Sequence, residues 1–290
     1  HKHLKPNYLK MIVFKLTAEI SEFLAKKKET GSTIGFVPTM GALHPGHISL
    51  INSSVAGNSL TVCSIFVNPT QFNDKKDFEH YPITLEQDID MLEKAGCDVL
   101  FLPAVSEIYP NGTDTAKYYE LGYLETILEG KYRPGHFQGV CAVVDRLLEI
   151  VQPHRLYLGQ KDYQQCMVIR KMVELTGAAT QIEIAPTLRA DDGLALSSRN
   201  MRLNAEERAL AVNIYESLCF IKREIKTGNL QVLKLRAVNF LTEYGFKVDY
   251  VEIADATDLR LTDQWDGRTK LVALIAATLN QVRLIDNMLL

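Results

Sequence analysis

The sequence predicts an α/β protein: a parallel sheet with helices on both faces, followed by a smaller α+β unit. Three observations predict it. Up to about residue 185, short β-branched runs alternate with longer segments whose apolar residues recur every three to four positions. Several of those segments are long enough to be crossover helices between parallel strands. Beyond Pro186 the alternation stops, and two helical segments are followed by strands joined by a turn.

Taken in order, "STIGFVPT" is a short buried strand, and His47 to Ala56 is a helix with Ile48, Ile51 and Val55 on one face. "LTVCSIFVN" is a second β-branched, buried strand. "TLEQDIDMLEKAGC" carries the helical stripe Leu85, Ile89 and Leu92, and Gly96 stops it. "DVLFLP" is a strand, and "FQGVCAVVDRLLEIVQP" is a periodic helix closed by Pro153. "RLYLG" and "QIEIAP" are strands on either side of the helix "DYQQCMVIRKMVELTG". One domain is therefore expected over 11–185 and a smaller one over 186–290. In the second, "NAEERALAVNIYESLCFIKREIKTGN" and "LQVLKLRAVNFLTEYGF" are amphipathic helices. "KVDYVEIADA" and "KLVALIAATLNQVRLIDNM" are its strands, and "LRADDGLALSSRNMRL" is a polar loop. Residues 1–10, "HKHLKPNYLK", precede Met11 and are expected to be an expression leader.

The chain has 290 residues, 47% apolar and 23% charged, enough for a large core. A formal charge of -3 argues against nucleic acid or a membrane as partner, yet allows a local basic pocket. No apolar run approaches the ~20 residues of a membrane span. The cysteines, Cys63, Cys97, Cys141, Cys166 and Cys219, are isolated and mostly inside apolar runs. They are expected as buried free thiols, which together with the absence of a signal peptide points to the cytoplasm.

In a parallel sheet the ligand crevice lies at the carboxyl ends of the strands, which directs attention to "VPTMG", "FVNPTQF" and "YLGQKD". "PTMGALHPGH" places His44 and His47 at a strand-to-helix turn. Gly46 allows close backbone approach, Pro45 tolerates the missing N–H, and the helix N-terminus favours an anion. The imidazoles add donors that follow charge growing on phosphate oxygens. A metal pair is disfavoured, because two histidines give only two ligands and no Cys/His cluster accompanies them. In "LGQKDYQQ", Gly159 permits a tight turn, Lys161 offers a cation, Asp162 sits at a helix N-cap, and Gln165 closes a capping box or faces a polar ligand. In "LALSSRN", Ser197, Ser198 and Arg199 either wrap phosphates or form a polar turn. Asn68 and Gln71 are uncharged amides at the crevice mouth, suited to hydroxyls or a carboxylate. Arg133 and His136 of "GKYRPGHFQGV" either contact an anion or belong to a helix-capping loop.

Together and in this order, "PTMGALHPGH", "SIFVNPTQF", "YRPGHFQGV", "LGQKDYQQ", "DGLALSSRN" and "RLIDN" closely resemble the pantothenate synthetase family, the pantoate–β-alanine ligases, within the wider H-x-G-H nucleotidyltransferases. The resemblance implies a Rossmann-like amino-terminal domain and a smaller carboxy-terminal domain acting as a lid. It implies that ATP and pantoate form pantoyl adenylate, which β-alanine converts to pantothenate with release of AMP. Carried over by position, it implies an ATP site of Pro38, Thr39, Met40, Gly41, Ala42, Leu43, His44, Pro45, Gly46 and His47. That site continues through Gly159, Gln160, Lys161, Asp162, Leu188, Leu196, Ser197, Ser198 and Arg199. His47 matches the catalytic proton donor, with His44 and Lys161 on the phosphates and Asp162 near the ribose. Gln71 and Gln165 match the pantoate site, with Gln71 also near β-alanine. Magnesium is implied with ATP, Asp88 being the nearest acidic candidate to touch it, and a homodimer is implied. Leu196 stands where Met is frequent, and Asn280-Gln281 where a glycine is frequent. Two other readings share features. One is a nucleotidyltransferase acting on a phosphorylated acceptor, which requires an acceptor phosphate site in place of paired glutamines. The other is a nucleotide sensor that binds ATP without turnover.

Overall fold

A computed structural model describes residues 10–115 and 117–290, so of the segment expected as a leader only Lys10 falls among the described residues. Six parallel strands form one sheet: β1 (Ile12–Phe14), β2 (Ile34–Thr39), β3 (Leu60–Ile65), β4 (Val99–Phe101), β5 (Arg155–Gly159) and β6 (Gln181–Ala185). Their spatial order is β1-β4-β3-β2-β5-β6. β2 and β5 are neighbours, but the chain between them runs out through β3 and β4 and returns. The order reverses there, and a crevice opens at the strand ends. The helices Pro45–Gly57, Leu85–Lys94, His136–Val151 and Tyr163–Thr176 are the expected crossovers. β1 and the helix Thr17–Glu29 were not anticipated. β1 is a three-residue edge strand whose Ile12 and Val13 are partly exposed, so periodicity has nothing to register.

Beyond β6 the strands Phe246–Asp255, Leu271–Leu279 and Val282–Leu289 form an antiparallel sheet with Leu271–Leu279 at its centre. This central strand is buried on both faces. Val272 and Leu274 belong to the core of the parallel sheet, while Leu271, Ala273, Ile275, Ala277 and Leu279 belong to a second core. That second core is closed by the helices Asn213–Glu224 and Gln231–Glu243. Strand alternation explains the division and the unbroken apolar run "LVALIAATL". The turn into the last strand uses Asn280 at φ +54°, a conformation that Asn tolerates better than most residues. The single helix expected from Asn204 is two, Ala205–Ala211 and Asn213–Glu224. Val212, at φ −59° and ψ −21°, tightens the turn between them. The second helix stops at Glu224, because Ile225 is extended and the chain enters a small ribbon between Gly228–Asn229 and Gln264–Trp265.

Candidate active site

The helix Pro45–Gly57 starts with an unusual cap. His44 is the N-cap, and its Nδ1 accepts from the Gly46 N–H at 3.1 Å. His47, three residues on, accepts through its own Nδ1 from the His44 N–H at 3.2 Å. This is a capping box built from two imidazoles in place of Ser and Glu. With both Nδ1 atoms accepting, each neutral ring carries its proton on Nε2. The rings stand 4.0 Å apart by centroid and both line a cavity. A Cβ at Gly46 would come within 2.7 Å of the His44 ring, so glycine is needed here to seat the imidazole. Burial, then the Lys161 cation, lowers the His44 pKa to about 4. Burial, then His44 and Lys161, lowers that of His47 to about 3. At neutral pH the site therefore offers two uncharged N–H donors at a helix N-terminus.

The loop before this helix is held by Asp88. Its carboxylate is 2% exposed and accepts from the N–H groups of Ala42 and Leu43, each at 2.9 Å, and from Thr84 Oγ1 at 3.0 Å. Asp88 is thus a loop clamp, buried beneath the loop with both oxygens engaged. Among the described residues no group of three His, Cys, Asp or Glu side chains could hold a metal ion.

The opposite wall comes from the end of β3. Asn68 is 1% exposed and caps the short 3-10 helix Pro69–Gln71. Its Oδ1 accepts from Thr70 Oγ1 at 2.9 Å and Tyr109 OH at 2.7 Å. Its Nδ2 donates to the Gly139 carbonyl at 3.1 Å and to Gln71 Oε1 at 3.0 Å. Asn68 is therefore fully engaged within the protein; it does not stand free for a ligand but orients Gln71. Because Gln71 Oε1 is used, its NH2 group is left to donate into the cavity. Gly139 lets the two segments meet, since a Cβ there would lie 2.4 Å from the Thr70 carbonyl oxygen. His136 is buried and its Nδ1 lies 2.7 Å from the Gln71 carbonyl. Burial, then Arg133, lowers its pKa to about 4. As a neutral ring donating to that carbonyl, it braces the same turn.

At the end of β5, Gln160–Asp162 forms a 3-10 turn into the helix Tyr163–Thr176. Asp162 takes the N-cap position, but its side chain makes no capping bond, so the capping box considered with Gln165 does not form. Lys161, Asp162 and Gln165 all line the cavity, and none of these three side chains has a hydrogen-bond or ion-pair partner among the described residues. Ser198 reaches across to donate to the Ala42 carbonyl at 3.0 Å, tying its loop to the histidine loop. Ser197 caps the 3-10 helix Ser198–Arg202. Arg199 pairs with Asp77 at 2.7 Å, and Arg202 shares that carboxylate at 3.0 Å. The Arg199 cation sits over the Tyr81 ring, 5.9 Å from its centroid.

These walls enclose a cavity of ≈ 240 Å³. It shares Arg133, Lys161, Asp162, Ser197 and Arg199 with a wider cleft of ≈ 960 Å³ facing the antiparallel sheet. Of the residues expected at a nucleotide site, Pro38, Thr39, Met40, His44, Gly46, His47, Gly159, Lys161, Asp162, Leu188, Leu196, Ser197, Ser198 and Arg199 all line the smaller cavity, with Gln71 and Gln165 beside them. Gly41, Ala42, Leu43, Pro45 and Gln160 do not. The first three are buried over Asp88, Pro45 faces outward, and the Gln160 carbonyl is engaged by Asn287. Sequence reasoning missed Tyr81 and the apolar wall of Val140, Val143, Val144 and Leu147. The helical stripe of the last four was visible in sequence, but such a stripe ordinarily signals core.

The chain matches the model of the family described as pantoate-beta-alanine ligase over residues 12–289. It is 45% identical to a pantothenate synthetase of Cytophaga hutchinsonii over 92% of this chain and 95% of the relative. It is 45% identical to one of Porphyromonas gingivalis over 96% and 98%. A crystal structure of pantothenate synthetase from Thermus thermophilus superimposes with a TM-score of 0.87, at 38% identity, covering 96% of this chain and 99% of that one. The pantoate-beta-alanine ligase of Francisella tularensis, complexed with beta-gamma ATP and beta-alanine, gives 0.81 at 39% identity, covering 96% and 97%.

Proposed function

The chain belongs to the pantoate–β-alanine ligase family, and we propose how its residues divide the work of that reaction. The enzyme is an ATP-dependent amide ligase that joins (R)-pantoate to β-alanine, giving pantothenate, AMP and pyrophosphate through a pantoyl adenylate. The observation that carries the assignment of roles is one juxtaposition. Two Nε2–H donors at a helix N-terminus and the unpartnered Lys161 border the same cavity as the paired amides of Gln71 and Gln165. The paired amides also separate this reading from a nucleotidyltransferase that needs a second phosphate site.

In this reading the triphosphate lies against His44, His47, Lys161, Ser197, Ser198 and Arg199. The adenosine rests beside Gly159, Leu188 and Leu196, with Asp162 toward the ribose. Pantoate is held by Gln71 and Gln165, and β-alanine enters beside Gln71. A pantoate carboxylate oxygen attacks the α-phosphorus as the bond to the departing pyrophosphate breaks. Negative charge shifts onto the pyrophosphate and the α-phosphate oxygens, where fixed donors are worth most. His47 and His44 then stabilise that charge as neutral rings donating hydrogen bonds from Nε2, with Lys161 as the third group. The neutral amine of β-alanine next attacks the acyl carbon, loses a proton and expels AMP. Orientation supplies the rest of the acceleration, and no nucleophilic side chain is required.

Magnesium fits as a companion of ATP. The cavity's donors suit phosphate oxygens, and an ion held chiefly by phosphates and water needs no protein cage. The antiparallel unit, 186–290, serves as the lid over the unit 11–185. The enzyme is a cytoplasmic homodimer in this reading; the five free cysteines support a reducing compartment. No helix among the described residues is long and apolar enough to cross a membrane.

Isotope exchange between ATP and labelled pyrophosphate tests these roles, with pantoate present and β-alanine absent. Wild-type exchange is expected to require pantoate, and His47→Ala and Lys161→Ala are each expected to lower it more than tenfold with the fold retained. Folded variants that exchange at the wild-type rate would overturn the roles given to these side chains.

A further inference from the structure

The turn carrying Lys161 is fixed from the far end of the chain. Asn287, 2% exposed, donates from Nδ2 to the carbonyls of Gln160 at 2.9 Å and Lys161 at 2.8 Å. One amide group thus grips two successive carbonyls of the turn. Asn287 is in turn held by its neighbour: its N–H donates to Asp286 Oδ1 at 2.7 Å. Asp286, 4% exposed, receives both arms of the Arg189 guanidinium at 2.6 and 2.9 Å. Arg189 also donates to the Asn287 carbonyl at 3.1 Å and the Gly193 carbonyl at 3.1 Å. It stacks on Tyr215 with its carbon 4.8 Å from the ring centroid. Three segments distant in sequence are joined in one buried polar chain: the Lys161 turn, the loop leading to Ser197, and the last strand.

A buried network of this kind ordinarily buys uniqueness of geometry more than stability. What it fixes here is the backbone from which Lys161 projects, and among the described residues the Lys161 side chain has no hydrogen-bond or ion-pair partner to fix it. We propose that Asn287 is a positioning residue for adenylation, acting through Lys161, with Arg189 and Asp286 holding it in register. This rests on the role assigned to Lys161 above. It gives the "RLIDN" segment a task in the chemistry that its place in the small sheet does not show.

The test is a double-mutant cycle on pantoate-dependent ATP–pyrophosphate exchange in the full-length enzyme, with thermal midpoints measured in parallel. Asn287→Ala is expected to lower exchange at least tenfold in the wild-type background and less than twofold in the Lys161→Ala background. Asn287→Asp keeps the volume but loses both donors and should follow Asn287→Ala. Should either fail to fold, Arg189→Lys, which loses the fork but keeps the charge, enters the same cycle with the same expectation. Equal losses in both backgrounds would mean a merely structural residue and overturn the proposal while leaving Lys161 in place. Unimpaired exchange by Lys161→Ala alone would overturn the role of Lys161, and the proposal with it.

Discussion

Two of the segments that border the cavity with cationic or imidazole groups are built in opposite ways. The His44–His47 cap is self-sufficient, since its hydrogen bonds join residues at most three apart. The Gln160–Asp162 turn is held by Asn287, 126 and 127 residues away. The difference teaches that a reactive group can be aimed by its own neighbours or by a distant anchor. Only the first kind forms a compact motif. It also separates failure modes: damage to the cap should stay local, whereas damage to the anchor should reach chemistry and stability together.

The largest expected effect is on the local side. His47→Ala should lower the adenylation rate by about 10²-fold, the scale for losing a preorganised donor. It also removes the acceptor for the His44 N–H, at a stability cost of about 1 kcal/mol; exchange kinetics and denaturant midpoints read the two separately. Arg189→Lys should lower exchange by about tenfold and also the thermal midpoint by several degrees, because a buried fork to Asp286 is lost. A fall in exchange with an unchanged midpoint would blur the contrast. Gly139→Ala should push the Thr70–Gln71 turn out of place and raise the pantoate KM several-fold, leaving the ATP KM near wild type. Asp88→Asn should cost about 1–3 kcal/mol, since two loop N–H groups lose a charged acceptor; urea denaturation measures it.

The smallest effect separates the imidazoles by acid. His44, His47 and His136 have native pKa values of about 4, 3 and 4, below the ordinary 6.5. Between those limits the unfolded chain binds more protons than the native one. Stability is therefore greatest above pH ~6.5 and falls as the pH drops toward 4, by about 1–2 kcal/mol per histidine at pH 5. Replacing His136 with Asn should flatten this slope, seen as a smaller shift of the urea midpoint between pH 7.5 and pH 5.

Legibility followed the span of the contacts. The crossover helices and β3 stood out because their patterns are long or β-branched, and the turn of His44 and His47 because everything it needs lies within "HPGH". The clamp made by Asp88 was not legible because its partners, Ala42 and Leu43, lie 46 and 45 residues away. Asn68 was placed correctly at the cavity mouth, but its engagement with Gly139 depends on a contact 71 residues distant. Tyr81 had no sequence signal: it lies in an irregular stretch, and only the fold brings it beneath Arg199.

The central strand Leu271–Leu279 gives one set of side chains to each of two cores. A strand shared in this way makes the carboxy-terminal third a poor candidate for independent inheritance. Were it transplanted, Val272 and Leu274 would arrive facing water; were it deleted, the parent sheet would be left with a bare apolar patch. Substitutions along this strand must satisfy two neighbours at once, so the two halves of the molecule are bound to evolve as a single unit.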